Sequence, residues 1–408
     1  MTSANGRRGI NPALVVVLAG VSAALHVGKL PPAIPVLRDA LGVSLLQAGF
    51  LLSLVQFAGM ALGIFVGLAA DGLGLKRSML AGLLTLSFAG IAGGFATDAS
   101  ALLGLRAVEG FGFLLATMPA PSLIRQLVPA ERLNPMLGLW GTYMPLGTAL
   151  ALLCGPLVLD HASWPVWWWA IAAISLLLSL WVWRAVPGDA RRRRERASPV
   201  GAASAGWRTR LAQTLTARGP WLVALCFGVY SAQWLSMIGF LPLIYAAAGV
   251  GGAASGVLTA LAAAVNMIGN IAAGRLLGRG VRAHWLLWTG FGAMIVGAVA
   301  TFAEVGGVGL PPALRYAGVL LFSTLGGMIP ATLFALAVRR APSEGTVSTT
   351  VGWMQQWSSI GQFAGPPLVA WLAGRVGGWQ WTWGITGACA LAGMALAAQL
   401  AQRRAPAQ

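Results

Sequence analysis

Gly67-Leu68-Ala69-Ala70-Asp71-Gly72-Leu73-Gly74-Leu75-Lys76-Arg77 separates two long apolar segments. Nowhere else in the chain do an acidic residue, a tight glycine turn and a basic pair meet. The acid stands where a helix ends, Gly72 and Gly74 permit a sharp reversal, and Lys76-Arg77 open the next apolar run. The stretch reads as a short, charged, sharply turned connection between two helices.

Composition says what surrounds those helices. Hydrophobic residues are 57% of the 408 and charged residues only 9%, with a mean hydropathy of +0.76. A soluble chain carries roughly 25% charged residues, so this one cannot coat itself with a water-facing surface. It belongs in a bilayer. Its length allows about a dozen spans of roughly 20 residues or a little more. Helices alone fit, because the segments are too long and unalternating for barrel strands. Twelve apolar segments fall at about 12–37, 44–69, 78–97, 100–122, 133–159, 163–184, 219–247, 252–277, 282–305, 311–338, 345–374 and 379–401. The expectation is an all-α integral membrane protein.

The net charge of +17 sits in short connections rather than on a folded polar face. It therefore reads as membrane orientation and not as nucleic-acid binding. With the N-terminus inside, the inner side holds Arg7, Arg8, Lys76, Arg77, Arg125, Arg132, Arg184, the 191–218 cluster, Arg275, Arg279, Arg282, Arg339, Arg340, Arg403 and Arg404. Only Lys29, Arg38, Arg106, Arg315 and Arg375 remain elsewhere. Both termini are expected in the cytoplasm and the chain in the inner membrane, with no cleavable leader at its start. Trp164, Trp167, Trp168 and Trp169, Trp181 and Trp183, and Trp379, Trp381 and Trp383 are expected as interfacial belts. The Arg191–Arg196 run is expected to rest near anionic lipid.

The chain also repeats. Met118-Pro119-Ala120, Leu139-Trp140 and Gly155-Pro156-Leu157-Val158 return as Ile329-Pro330-Ala331, Gly352-Trp353 and Gly365-Pro366-Pro367-Leu368-Val369. Two six-helix halves, 1–184 and 219–408, flank a basic cytoplasmic linker at 185–218. With this repeat, the 67–77 stretch resembles the signature loop of the major facilitator superfamily, Gly-x-x-x-Asp-Arg-x-Gly-Arg-Lys. Gly67, Asp71, Gly74 and Lys76 match, while Gly72 and Leu75 replace two of its arginines. Arg106-Ala107-Val108-Glu109-Gly110 resembles the same family's Arg-x-x-(Gln/Glu)-Gly element. Gly138-Leu139-Trp140, Pro145-Leu146-Gly147 and Gly155-Pro156 further resemble its cyanate-permease-like branch. The resemblance implies twelve transmembrane helices in two pseudo-symmetric bundles, working as a monomer by alternating access.

Charges inside a membrane segment are expensive and default to function. His26 and Lys29, and Arg106 and Glu109, are each three residues apart and so share a helix face. The resemblance implies that segments 1 and 4 both line a central cavity. Lys29 and Arg106 would attract an anion, Glu109 would pair with one of them, and His26 or Glu109 would exchange a proton. The alternative is a static ion-pair network, or for Lys29 a side chain reaching for the interface. Gln56, Tyr143, Tyr230, Gln233, Trp234, Asn266, Asn270, Gln355 and Gln356 are the midplane polar candidates, each equally able to serve an interhelical hydrogen bond. Gly67, Asp71, Gly74, Lys76 and Arg77 read as conformational control, and Gly59, Gly63 and Gly67 as a close-packing helix face.

Neither a phosphate-cradling loop nor a His–Cys cluster is present, so no enzymatic chemistry, cofactor or metal is expected. Cys154, Cys226 and Cys389 read as small buried apolar residues. The leading expectation is a secondary transporter of a small anionic solute, with proton coupling through Glu109 or His26. A proton-coupled exporter of amphipathic compounds is the alternative. Weaker ones are a copper importer, for which Met237 and Met267 lack Met partners four residues away, and a sensor that has lost transport.

Overall fold

The computed structural model describes residues 11–43, 45–189, 206–250 and 252–401. Arg7, Arg8, the Arg191–Arg196 run, Arg403 and Arg404 lie outside the described residues, as do the side chains of Arg38 and Asp71.

Among the described residues twelve spans are present. In the first half they are α1 (Pro12–Gly28, then Leu30–Leu41), α2 (Leu45–Leu73), α3 (Leu75–Gly93), α4 (Ala99–Thr117, then Ala120–Leu127), α5 (Ala130–Trp140, then Tyr143–Leu159) and α6 (Trp164–Ala185). A short helix, Trp207–Thr216, lies within the linker. The second half holds α7 (Arg218–Ala247), α8 (Gly252–Ala264, then Asn266–Gly278), α9 (Ala283–Phe302), α10 (Pro312–Gly326, then Met328–Arg340), α11 (Val347–Val376) and α12 (Thr382–Ala401). Between α9 and α10, β1 (Glu304–Val305) and β2 (Val308–Gly309) pair as a two-stranded hairpin. Ten of the twelve spans are long and apolar enough to cross a membrane on those grounds alone. The other two, α2 and α11, pack against each other.

Each half packs on itself, and the halves meet where α2 packs on α11 and α5 packs on α8. α3, α6, α9 and α12 turn large apolar side chains outward, among them Phe88, Leu177, Val296 and Leu391. That is the surface a bilayer would wet. The β1–β2 hairpin is held at its base by Arg315 and Glu304, 3.1 Å apart.

Prolines explain several helix breaks. Pro31 and Pro32 cannot donate to Val27 and Gly28, so α1 breaks at Lys29. Pro119 frees the Leu115 carbonyl, which accepts the Ser78 hydroxyl of α3 at 3.2 Å instead. The matching Pro330 lies just after the α10 break at Gly327.

Three expectations need correction. Trp164, Trp167 and Trp168 are buried inside the first half rather than placed at an interface, because a charged cluster and a free carbonyl lie beneath them. Trp169, Trp183 and Trp381 do face outward. Of the three free cysteines Cys226 is buried, but Cys154 is exposed and Cys389 half-buried. The glycine turn of the opening stretch is also shorter than it reads. α2 continues through Asp71 to Leu73, leaving Gly74 alone, at φ +101°, to turn the chain into α3.

Candidate functional site

The central cavity lies between the halves, enclosing about 50 Å³, room for a few water molecules. Gln56 of α2, Tyr143 of α5, Tyr230 of α7, Asn266 of α8 and Gln355 of α11 all line it, as does Trp234. The sequence singled out all six. Breaks in α5 and α8 place two of them, since Tyr143 and Asn266 each open the second piece of their helix.

Asn266 organises the second-half wall. Its Nδ2 donates to the Tyr230 hydroxyl at 3.2 Å and to the Ser323 carbonyl at 2.8 Å, and its Oδ1 accepts from Asn270 Nδ2 at 2.9 Å. Across the cavity Tyr143 and Gln355 line the same space from opposite halves. The Ser359 hydroxyl donates to Gln56 Oε1 at 3.4 Å, and Gln56 Nε2 has no partner. None of the described residues lining the cavity carries a formal charge.

Sequence reasoning missed the aromatic wall of Phe113, Phe227 and Phe334, and the polar additions Ser231, Ser358, Ser359 and Gln362. The α11 residues were findable: Gln355, Ser358, Ser359 and Gln362 follow a three-to-four spacing that marks one helix face. Phenylalanines in an apolar segment send no such signal.

The four charged candidates do come together, but behind the cavity wall. His26, Lys29, Arg106 and Glu109 are each at most 3% exposed, and none lines the cavity. Glu109 is the hub. Its Oε1 bonds the Lys29 ammonium and stands 3.2 Å from His26 Nδ1, while its Oε2 accepts from Arg106 Nη1 at 2.7 Å. Arg106 also donates to the His26 carbonyl at 2.5 Å and the Leu51 carbonyl at 2.9 Å. α6 completes the shell, unannounced by any pattern. Ser175 Oγ lies 2.9 Å from His26 Nε2 and 2.8 Å from Ser22 Oγ. The Trp167 indole donates to the Lys29 carbonyl at 3.0 Å, and Lys29 Nζ lies 4.7 Å from the Trp168 ring centre. Two cations thus face one carboxylate.

Gln356 and Gln233 lie elsewhere. Gln356 bonds the backbone of α2. Gln233 Nε2 donates to the Val229 carbonyl at 2.8 Å, and the residue lines a smaller cavity inside the second half with Ser236, Thr386 and Cys389.

At the opening stretch, Asp189 is the residue missed. Its carboxylate accepts the backbone N–H groups of Lys76 at 3.1 Å and Arg77 at 3.3 Å, satisfying the start of α3. Lys76 returns the favour at the end of α6, where its ammonium donates to the Trp183 and Val186 carbonyls at 2.7 and 2.5 Å. Cations suit a helix C-terminus and carboxylates an N-terminus, so the two ends cap each other.

The sequence matches the Major Facilitator Superfamily over residues 13–359. It is 28% identical to the 2-nitroimidazole transporter of Escherichia coli over 358 residues, 86% of this chain and 84% of that protein. It is 26% identical to the cyanate transport protein CynX of Escherichia coli over 254 residues, 61% of this chain and 62% of CynX. The puromycin resistance protein pur8 of Streptomyces alboniger is 32% identical over 162 residues, 39% of this chain and 32% of pur8. With CynX and pur8 the match thus spans less than two thirds of the relative. Among solved structures, the human organic anion transporter MFSD10 superposes with a TM-score of 0.77 at 15% identity, covering 95% of this chain and 99% of that one. The transporter FucP in its outward conformation gives 0.72 at 15% identity, covering 97% and 99%. Twelve spans in two halves, a repeated break pattern and these matches lead to one conclusion: the chain belongs to the Major Facilitator Superfamily of membrane transporters.

Proposed function

We propose that this chain is a secondary transporter carrying a small solute across the inner membrane by alternating access, with protons as the coupling ion. The observation that carries the reading is the polar cavity at the junction of the halves, built at helix breaks. Rocking of the 1–184 half against the 219–408 half, joined by the 185–218 linker, would open that site to either side in turn. In this reading both termini are cytoplasmic and one monomer suffices.

Each site residue has a role. Gln56, Tyr143, Tyr230, Asn266 and Gln355 hold the solute. Glu109 and His26 exchange the proton, with Lys29 and Arg106 setting the charge around them. Gln356 latches the halves. Gly67, Asp71, Gly74, Lys76 and Arg77 govern the first half's inner end, through the Lys76–Asp189 caps. The anion expected from Lys29 and Arg106 gains less support, because both cations are bonded to Glu109 away from the cavity. A second reading, export of amphipathic compounds, draws on the aromatic wall and the likeness to pur8.

The test is reconstitution into liposomes with a pH-sensitive dye in the lumen. Solutes from a panel of small anions, neutral rings and hydrophobic cations are added outside. The proposal expects one class to cross and to shift the lumenal pH, and expects Glu109→Gln to abolish the pH change. Solute crossing with no proton movement removes the coupling. No crossing by any class, in vesicles shown to hold folded protein, removes the transporter reading.

A further inference from the structure

The cavity's unspent hydrogen-bonding capacity names a ligand class. Gln56 is 2% exposed and lines the cavity, and its Oε1 is committed to Ser359. Its Nε2, with two N–H groups, has no partner. A buried donor left unmade costs about 1–3 kcal/mol, so a ligand acceptor placed there gains more than an exposed contact would. The Tyr230 hydroxyl accepts from Asn266, which leaves its own proton to donate. The Asn266 amide itself is spent: Nδ2 serves Tyr230 and Ser323, and Oδ1 serves Asn270. Of these three residues, the groups left uncommitted are therefore donors, Gln56 Nε2 and the Tyr230 hydroxyl.

The rings add shape. Phe227 and Tyr230 are stacked within 10° of parallel, their centres 6.0 Å apart, and Phe334 meets Phe227 edge-on at 5.6 Å. Opposite, Phe113 and Tyr143 face each other at 6.5 Å. Aromatic faces and edges of this kind favour a flat guest, which stacks on some rings and meets others edge-on. No formal charge lies on the cavity's described lining, and a full anion buried without a paired cation is strongly disfavoured. One turn from Phe113 along α4, Glu109 is shared by two cations. That surplus of positive charge favours the negative end of a dipole without supplying a partner for a whole charge.

We infer that the central cavity, widened as the two halves rock apart, takes a small, planar, uncharged heteroaromatic solute bearing hydrogen-bond acceptors, with the acceptors on Gln56 Nε2 and the Tyr230 hydroxyl. The inference rests on the proposed transport site.

The experiment uses the full chain in lipid nanodiscs and a matched pair of rings, nicotinamide (neutral) and nicotinate (anionic), with 2-nitroimidazole as a second neutral ring. Binding is read by calorimetry. The neutral rings are expected to bind at least tenfold more tightly than nicotinate. Gln56→Leu and Tyr230→Phe are each expected to weaken them about tenfold, the loss of one hydrogen bond to a buried partner, with a cooperative ligand-free unfolding transition retained, lowered in Tyr230→Phe by the Asn266 N–H it strands. Tighter binding of nicotinate, lost in Arg106→Ala, overturns the class in favour of an anion site. Failure of all three rings to bind also overturns it. Spin-label distances between the halves, measured on the same sample, separate that failure from failure of the transporter reading. Two populated separations leave alternating access standing with a different ligand, whereas a single rigid separation removes both.

Discussion

Gln356 of α11 reaches across the junction of the halves, and its Oε1 accepts the Ile64 N–H of α2 at 3.0 Å. The same carboxamide donates to the Met60 carbonyl at 2.8 Å. It therefore brackets one helical hydrogen bond of α2 from outside, at a seam that the proposed alternating access must open. Gly63 allows the approach: a Cβ there would lie 2.6 Å from Gln356 Cβ and 3.0 Å from its Cα. Gln356→Leu keeps the volume and removes both bonds. Each is worth about 1 kcal/mol, a factor of roughly five in population. Spin-label distances across the seam should show the present arrangement depleted five- to thirtyfold. An unchanged distribution would mean that Gln356 is packing and not a latch.

Glu109 is the only carboxylate among the described groups bonded to Lys29 and Arg106. Glu109→Gln leaves two buried cations unpaired, and breaking a buried pair from one side costs about 3–5 kcal/mol. The unfolding temperature in detergent should fall by several degrees. Adding Lys29→Met removes one stranded cation and should recover part of that loss. A double variant no better than the sum of its parts would contradict the shared-hub geometry.

At the second seam, Gly138 of α5 crosses Gly274 of α8. A Cβ on Gly138 would lie 2.7 Å from Gly274 Cα and 2.9 Å from the Asn270 carbonyl, both backbone. Neither can rotate away, so Gly138→Ala must push the two halves apart there. Transport in liposomes should drop at least tenfold with expression and folding retained, and the α5–α8 label distance should lengthen. Wild-type transport in this variant would show that the crossing is incidental.

The Lys76–Asp189 caps predict a graded series. Asp189→Ala removes the acceptor for two N–H groups at the start of α3, a loss of about 1 kcal/mol. Gly74→Ala should cost more. It forces a side chain onto φ +101° and places its Cβ against the Asp189 carboxylate, with strain of about 1–3 kcal/mol. Thermal unfolding of both variants checks the order, and the reverse order would refute the capping account.

Much of this architecture was legible beforehand because it is written in hydropathy, proline and repetition. The bilayer demands long apolar runs, and Met118-Pro119-Ala120 against Ile329-Pro330-Ala331 betrayed the duplication. Residues such as Gln56 and Asn266 stood out because an amide in an apolar segment needs a partner. Direction was harder to see. His26, Lys29, Arg106 and Glu109 share faces as the three-residue spacing requires, yet those faces turn toward Ser175 and Trp168 of α6 and not toward the cavity. Spacing gives relative angle along one helix, whereas the absolute rotation of a helix is set by its neighbours. Asp189 escaped notice for a similar reason: its partners are backbone N–H groups, which every residue but proline carries.

The most direct test of the central claim is uptake of a radiolabelled neutral ring, nicotinamide or 2-nitroimidazole, into proteoliposomes carrying an imposed pH gradient, comparing wild type with the Gln56→Leu, Tyr230→Phe double variant. The account predicts gradient-dependent uptake by the wild type and at least a tenfold loss in the double variant, which still unfolds in one cooperative transition. Equal uptake by both proteins would contradict it, because the solute would then cross without touching the cavity between the halves.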